Sequence, residues 1–272
     1  MRMRSRLASV TKPIVAAAVV LACRQSPGAW DTPIREHFPE LHAVWQLDPT
    51  ITLTDLLSHT SGIAVPFDDA AQADFGDGDD ALMRQVALVA AGGQQDQPRT
   101  VWRYGGVGFW LAGAVVARMT GTTFEQVVDE FVIRPAGMTR TGFETPPDSD
   151  LPPTGPGDAF PRARRPSGGL WSCVDDLLKF SAFLYADPEL VAQLSAPLAR
   201  TEDDGVSYGL GMFTDDKRRF FLHTGDWHAF HTCALWTQET QETQEATIVL
   251  SHGPQGGATV ERLLLARLQA IS

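Results

Sequence analysis

Cysteine is scarce in this sequence. Its 272 residues include only Cys23, Cys173 and Cys233, scattered far apart. Three thiols at those spacings exclude a disulfide framework and a cysteine-based zinc site. Positive charge is in deficit too: 22 Lys and Arg stand against 33 Asp and Glu, a formal net charge of −11. A surface of that sign argues against nucleic acid or an anionic membrane as the main partner. No stretch is long and apolar enough to span a bilayer. Metal-ligand patterns are also wanting. Asp74, Asp77, Asp79 and Asp80 lack the spacing and closing glutamate of an EF-hand, so they read as a solvated loop. His223, His228 and His231 suggest zinc at first sight, but on a strand residues 228 and 231 point to opposite faces. Neither a metal nor a cofactor is implied.

What is present is an ordinary globular balance, 43% hydrophobic and 20% charged. The length suits one large domain or two intimately packed ones. Apolar residues recur at helical spacing over 10–24, predicting a buried helix. A short helix over 51–59 is entered from Thr52 or Thr54 with Asp55 near its start, and Gly62 is a natural left-handed stop. Residues 64–80 form an acidic loop, and Asp80 caps a helix over 81–91 that stops at Gly92 and Gly93. An irregular stretch, 98–106, leads to an apolar helix over 107–119, and Thr122 caps a helix over 123–133. Pro, Gly and Asp make 144–167 a long surface loop, before a helix over 175–184. Strands are predicted over 208–213, 219–223, 229–236 and 246–251, closed by a helix over 257–270. The repeated Thr-Gln-Glu of 237–245 reads as an elongated hairpin turn. Helices first and antiparallel strands after them define an α+β fold.

The N-terminus can be read in two ways. Arginines, an apolar run from Ile14 to Ala22 and then Cys23 imitate a secretory signal with a lipoprotein cleavage box. On that reading residues 1–22 are removed and a binding protein remains. On the other, Ser9-Val10-Thr11-Lys12 matters. Residues three apart share a helix face, so Lys12 reaches the Ser9 hydroxyl. Backbone N–H groups at the helix start favour an attacking oxygen, and Pro13 is tolerated only in a first turn. Tyr104, on a loop before an apolar helix, can present its hydroxyl to a cleft, although taken alone a half-buried structural tyrosine is the plainer reading. His223-Thr224-Gly225 follows an apolar strand, and Gly225 lets the backbone come close to a ligand. The N–H of Asp226 then joins that of Ser9 as an oxyanion hole; the plain alternative is a strand-to-turn junction. His59 reads as a helix-end residue rather than a catalytic one.

The segments SVTKPIVAAAVVL, ITLTDLLSHTSGI, VWRYGGVGFWLAGAVVARMTG, RPAGM, SGGLWSCVDDLLKF and YGLGMF followed by HTG resemble, in that order, the signatures of the class C β-lactamase, penicillin-binding protein and esterase superfamily. The resemblance covers nearly the whole chain. It implies a β-lactamase-like fold, an antiparallel sheet flanked by helices plus a helical region. Residues 1–13 and 166–272 would form the α/β part and 14–165 the helical part. It implies Ser9 as acylated nucleophile, Lys12 assisting its deprotonation and Tyr104 relaying protons. Gly106, His223, Thr224, Gly225 and Asp226 would border a small ester, amide or β-lactam substrate. The apolar run then becomes the catalytic helix instead of a leader. Three departures stand out. The family's asparagine two residues after the tyrosine is Gly106. A small neutral residue is replaced by Asp226, whose carboxylate would oppose an oxyanion if it faced inward, so that Asp226→Gly would speed acylation. The family's two N-terminal strands before Ser-x-x-Lys are lacking, which would leave ATIVLS, residues 246–251, as a bare sheet edge and mark a truncated form. Such departures also fit a catalytically impaired scaffold. With His223 in place of the lysine of true β-lactamases, small esters are the favoured substrates. Location stays open: cytoplasmic as encoded, periplasmic or secreted if the true start lies upstream.

Overall fold

Helix α1, Thr11–Arg24, is apolar on every side, and a helix of that kind must be buried. In the computed structural model, which describes residues 3–26, 28–63, 75–145, 160–215, 217, 219–238 and 244–271, α1 is the centre of the core. Ile14, Val15, Ala16, Ala17 and Val19 have no solvent exposure at all. The run that imitates a leader peptide is therefore a core helix. The helices that follow it are α2 (Leu53–Leu57), α3 (Ala81–Gly92), α4 (Val107–Thr120), α5 (Phe124–Val128), α6 (Arg165–Gly168), α7 (Val174–Tyr185) and α8 (Pro188–Leu194); α4, α5, α6 and α8 pack against α1, α2 and α3 against α4, and α7 against α8. Among the described residues no helix is long and apolar enough to cross a membrane.

The strands are β1 (Ser5–Arg6), β2 (Trp171–Ser172), β3 (Ala199–Arg200), β4 (Val206–Tyr208), β5 (Phe213–Asp215), β6 (Phe220–Trp227), β7 (Phe230–Gln238) and β8 (Gln244–His252), with α9 (Gly256–Ile271) last. β3 to β8 form one antiparallel sheet in sequence order, while β1 and β2 pair separately. Alternation sorts each strand between two cores. Phe221, Ala234 and Trp236 join the main core under α1. Leu222, Cys233 and Leu235 pack with Val260 of α9 on the other side. The fold is the expected α+β arrangement of helices and an antiparallel sheet. Among the described residues β8 is an edge strand, as expected for ATIVLS.

Several local expectations need correction. The α2 start is Thr52, whose N–H donates to Asp55 at 2.9 Å, but the left-handed exit is His59 at φ 61°, ahead of Gly62. Asp80 makes no capping bond to α3; its carboxylate pairs with Arg84 instead. Thr123, not Thr122, caps α5, because Gln126 completes the reciprocal bond, and a π-helical turn over Asp129–Ile133 continues it. The strand expected over 208–213 is two strand ends around a turn at Gly209–Met212. Residues 64–74 and 146–159, most of two expected loops, and 239–243 of the hairpin tip lie outside the described residues. The end of the second loop is not surface: Ala163 and Arg164 are buried, and Arg162 and Arg165 both bind Glu125.

Candidate active site

Ser9 lies on a single 3₁₀ turn, Ala8–Val10, that runs straight into α1. Ala8 adopts φ 45°, a left-handed conformation that costs an alanine energy and turns the chain sharply at the serine. One turn later Lys12 is 2% exposed. Its ammonium donates to Ser9 Oγ at 2.9 Å, to Tyr104 Oη at 3.0 Å and to the Ser167 carbonyl at 3.0 Å. Three donors thus meet three acceptors, which fixes Nζ in place. Tyr104 stands on the loop before α4, its oxygen directed at Lys12 and its ring stacked on Phe213 at 6.2 Å.

These groups open onto a cleft of about 740 Å³. Its lining includes Trp102, Trp110, Phe160 and Trp227, together with Gly106 and Asp226. Phe160 and Trp227 rings meet at 4.7 Å. So the structure brings Ser9, Lys12 and Tyr104 together and sets Gly106 and Asp226 beside them.

Strand alternation divides the remaining expected site residues between two faces. β6 runs unbroken through His223, Thr224, Gly225 and Asp226, so there is no turn after Gly225. Gly225 faces Ser9: a Cβ there would lie 2.3 Å from the Leu7 carbonyl oxygen and 2.9 Å from Ser9 N. His223 faces the same way but is buried beneath the cleft and does not line it. Its Nδ1 lies 2.5 Å from the Thr224 carbonyl oxygen, which only accepts, so Nδ1 carries the proton. Nε2 is then left to accept from Tyr208 Oη at 3.1 Å. Both nitrogens are engaged within the protein. Burial, followed by the Lys12 charge, lowers the His223 pKa to about 3, against a weaker opposite pull from the Thr224 carbonyl.

Thr224 and Asp226 point to the α9 side. Thr224 sits opposite Cys233 of that second core. Asp226 accepts from His231 Nδ1 at 2.6 Å and is 71% exposed. Its carboxylate is therefore turned away from Ser9, contrary to the concern raised by the sequence. His228 is not on a strand; it makes the β6–β7 turn at φ 51°.

Sequence reasoning missed three contributors. Ser167 was hidden in a segment read as loop, although it begins the SGGLWS signature. Trp110 donates from Nε1 to Ser167 Oγ at 2.9 Å. His59 lines the cleft from within an aromatic box, 4.8 Å from the Tyr104 ring and 4.7 Å from that of Tyr208. Burial, then the charges of Lys12 and His223, hold its pKa well below the usual value. Its left-handed backbone, with no glycine to mark it, left no signal in the sequence.

An α+β frame that buries a lysine beside a serine at the head of its central helix defines a class, the β-lactamase-fold serine hydrolases. Comparison with known proteins places the chain within it. A family model described as Beta-lactamase matches residues 2–271. Esterase EstB of Burkholderia gladioli is 29% identical over 243 residues, 74% of this chain and 62% of that protein. A penicillin-binding protein from Bacillus halodurans superposes with a TM-score of 0.77 at 22% identity, over 97% of this chain and 86% of that one. D-amino acid amidase from Ochrobactrum anthropi SV3 gives 0.76 at 20% identity, over 98% and 86%. The chain spans about half the length of the curated relatives it matches. The chain belongs to the β-lactamase family.

Proposed function

We propose that this chain hydrolyses small neutral esters, and amides more slowly, through an acyl-enzyme on Ser9. The observation that carries this reading is the Lys12 ammonium held at 2.9–3.0 Å from both Ser9 Oγ and Tyr104 Oη on a cleft floor. With Nζ in its amine form, Lys12 takes the Ser9 proton as Oγ bonds to the carbonyl carbon. The N–H groups of Ser9 and Asp226 hold the oxyanion; the contact of Gly225 with Ser9 N supports that pairing. As the ester C–O bond breaks, the leaving oxygen takes a proton passed from Lys12 through Tyr104. Water then attacks the acyl carbon by the same route, releasing the acid and restoring Ser9.

Preference for neutral substrates has two supports. Strand β6 offers no cation to a substrate carboxylate, since His223 is neutral and engaged on both nitrogens. Residue 106 supplies no amide to an acylamino side chain, and the aromatic walls suit an apolar acyl group. Relatives named as an esterase and a D-amino acid amidase bracket the range.

The test is intact-mass analysis after exposure to an activated ester, a fluorophosphonate and a penicillin. An adduct on the wild type that disappears in Ser9→Ala is expected. Lys12→Ala should lower kcat by at least ~10²-fold, the scale of general-base assistance. Undiminished ester turnover in Ser9→Ala would sink the assignment, and a Lys12→Ala loss confined to KM would make that residue a binding group.

A further inference from the structure

The glycine at 106 stands where the family resemblance leads one to expect an asparagine. Its surroundings explain it. A Cβ built on Gly106 would lie 2.8 Å from Cζ2, 3.0 Å from Cε2 and 3.1 Å from Nε1 of Trp110. Those are atoms of a rigid ring that is 1% exposed, so the conflict cannot be relieved by a swinging side-chain tip. The indole is also tied down. Nε1–H donates to Ser167 Oγ at 2.9 Å, and that hydroxyl donates in turn to the Arg164 carbonyl at 3.0 Å. The Arg164 guanidinium lies 5.8 Å from the ring centroid. Ser167 is the junction, because its own carbonyl accepts from Lys12 Nζ at 3.0 Å.

We infer that Trp110 is a positioning residue for Lys12, acting through Ser167, and that Gly106 is a glycine to make room for its indole. Gly106 and Trp110 are then a matched pair. The indole fills the volume that a side chain at 106 would occupy and holds one of the three acceptors that fix the lysine. Glycine at 106 is not a lesion, and restoring the asparagine slows the enzyme. This rests on the acyl-enzyme reading above.

The experiment is a double-mutant cycle on the full chain, with p-nitrophenyl acetate turnover and melting temperature read in parallel. Gly106→Asn should lower kcat by ~10-fold or more while KM stays within ~3-fold, the pattern of a misplaced catalytic group. In a Trp110→Leu background, where the ring is gone, the same substitution should cost less than ~3-fold, since contacting residues couple. Trp110→Phe keeps an aromatic ring at the site but removes the N–H together with part of the indole. It should cost ~2–10-fold in kcat, the weight of one hydrogen bond, and Ser167→Ala should add nothing to it. If Gly106→Asn fails to fold, Gly106→Ala runs the same cycle. An unchanged or faster Gly106→Asn, or an equal loss in both backgrounds, overturns the matched pair. Turnover that persists in Ser9→Ala overturns the acyl-enzyme reading itself, and the inference with it. Ser9-dependent turnover with an additive cycle overturns this inference alone.

Discussion

The two faces of β6 do different work over four consecutive residues. His223 and Gly225 face the head of α1, one engaged with Tyr208 and the other against Leu7 and Ser9. Thr224 and Asp226 face α9, opposite Cys233 and His231. A run that reads in sequence as one substrate-bordering motif is thus divided by a period of two. Chemistry along a strand belongs to alternate residues, and only the register with neighbouring strands says which alternate. Thr232, opposite Gly225, settles it here: its hydroxyl donates to the Leu7 carbonyl at 2.8 Å, fixing the odd-numbered side of β6 as the side of the nucleophile.

The largest effect that would sharpen this division is expected at Gly225. An alanine there places a methyl 2.3 Å from the Leu7 carbonyl oxygen and 2.9 Å from Ser9 N, against backbone that has no rotamer to escape into. Overpacking of that kind costs roughly 1–3 kcal/mol. The displaced group is the nucleophile's own turn, so kcat should fall by ~10-fold or more, since misplacement near 1 Å is that costly. Thr224→Val, on the other face, should leave kcat almost unchanged. Equal kinetic losses in the two variants would break the comparison.

The same distinction explains what was legible in the sequence. Ser9 and Lys12 are local partners three residues apart on one helix face, so their meeting at 2.9 Å needed no tertiary knowledge. The helices α1, α4 and α7 were legible because their apolar periodicity is long. Tyr104 was legible through its motif. Ser167 was not, because proline and glycine around it signal loop while burial against Trp110 and Lys12 decides its place. Trp110 looked like one more core residue on an apolar helix. The resemblance sets His223 at the border of the substrate, whereas its place depends on Tyr208, a contact made across the sheet by residues on different strands. The strand expected over 208–213 failed where two glycines turn the chain.

A smaller effect tests the inward histidine. Burial, then Lys12, depresses the His223 pKa to about 3, against about 6.5 in the unfolded chain. Between those values the unfolded state binds more protons, so this stabilisation is complete above pH ~6.5 and is lost as pH falls toward 3. His59, shifted in the same direction, adds to the slope. Melting temperatures of the wild type should therefore decline from pH 6.5 to 4 more steeply than those of His223→Gln, which has no group to protonate. Parallel declines would show that His223 titrates normally, and that the inward face is wetter than its burial implies.

The smallest effect is expected on the outward face. The sequence alone makes Asp226 a suspect, since a carboxylate beside two oxyanion donors opposes the charge that develops there. Strand alternation removes the suspicion. The carboxylate binds His231 at 2.6 Å and is 71% exposed, so solvent screens what field reaches Ser9. Asp226→Asn keeps the backbone N–H that the oxyanion hole would use and removes only the charge. Acylation rates should change by less than ~2-fold between pH 6 and 9, and stability by no more than the roughly 0–1 kcal/mol of an exposed pair. A marked acceleration would mean that the charge does act on the oxyanion, and that the two faces of β6 are not electrically separate. His231→Asn serves as the companion measurement. If the pair is only a surface contact, each single variant and the double variant should melt within a few degrees of one another.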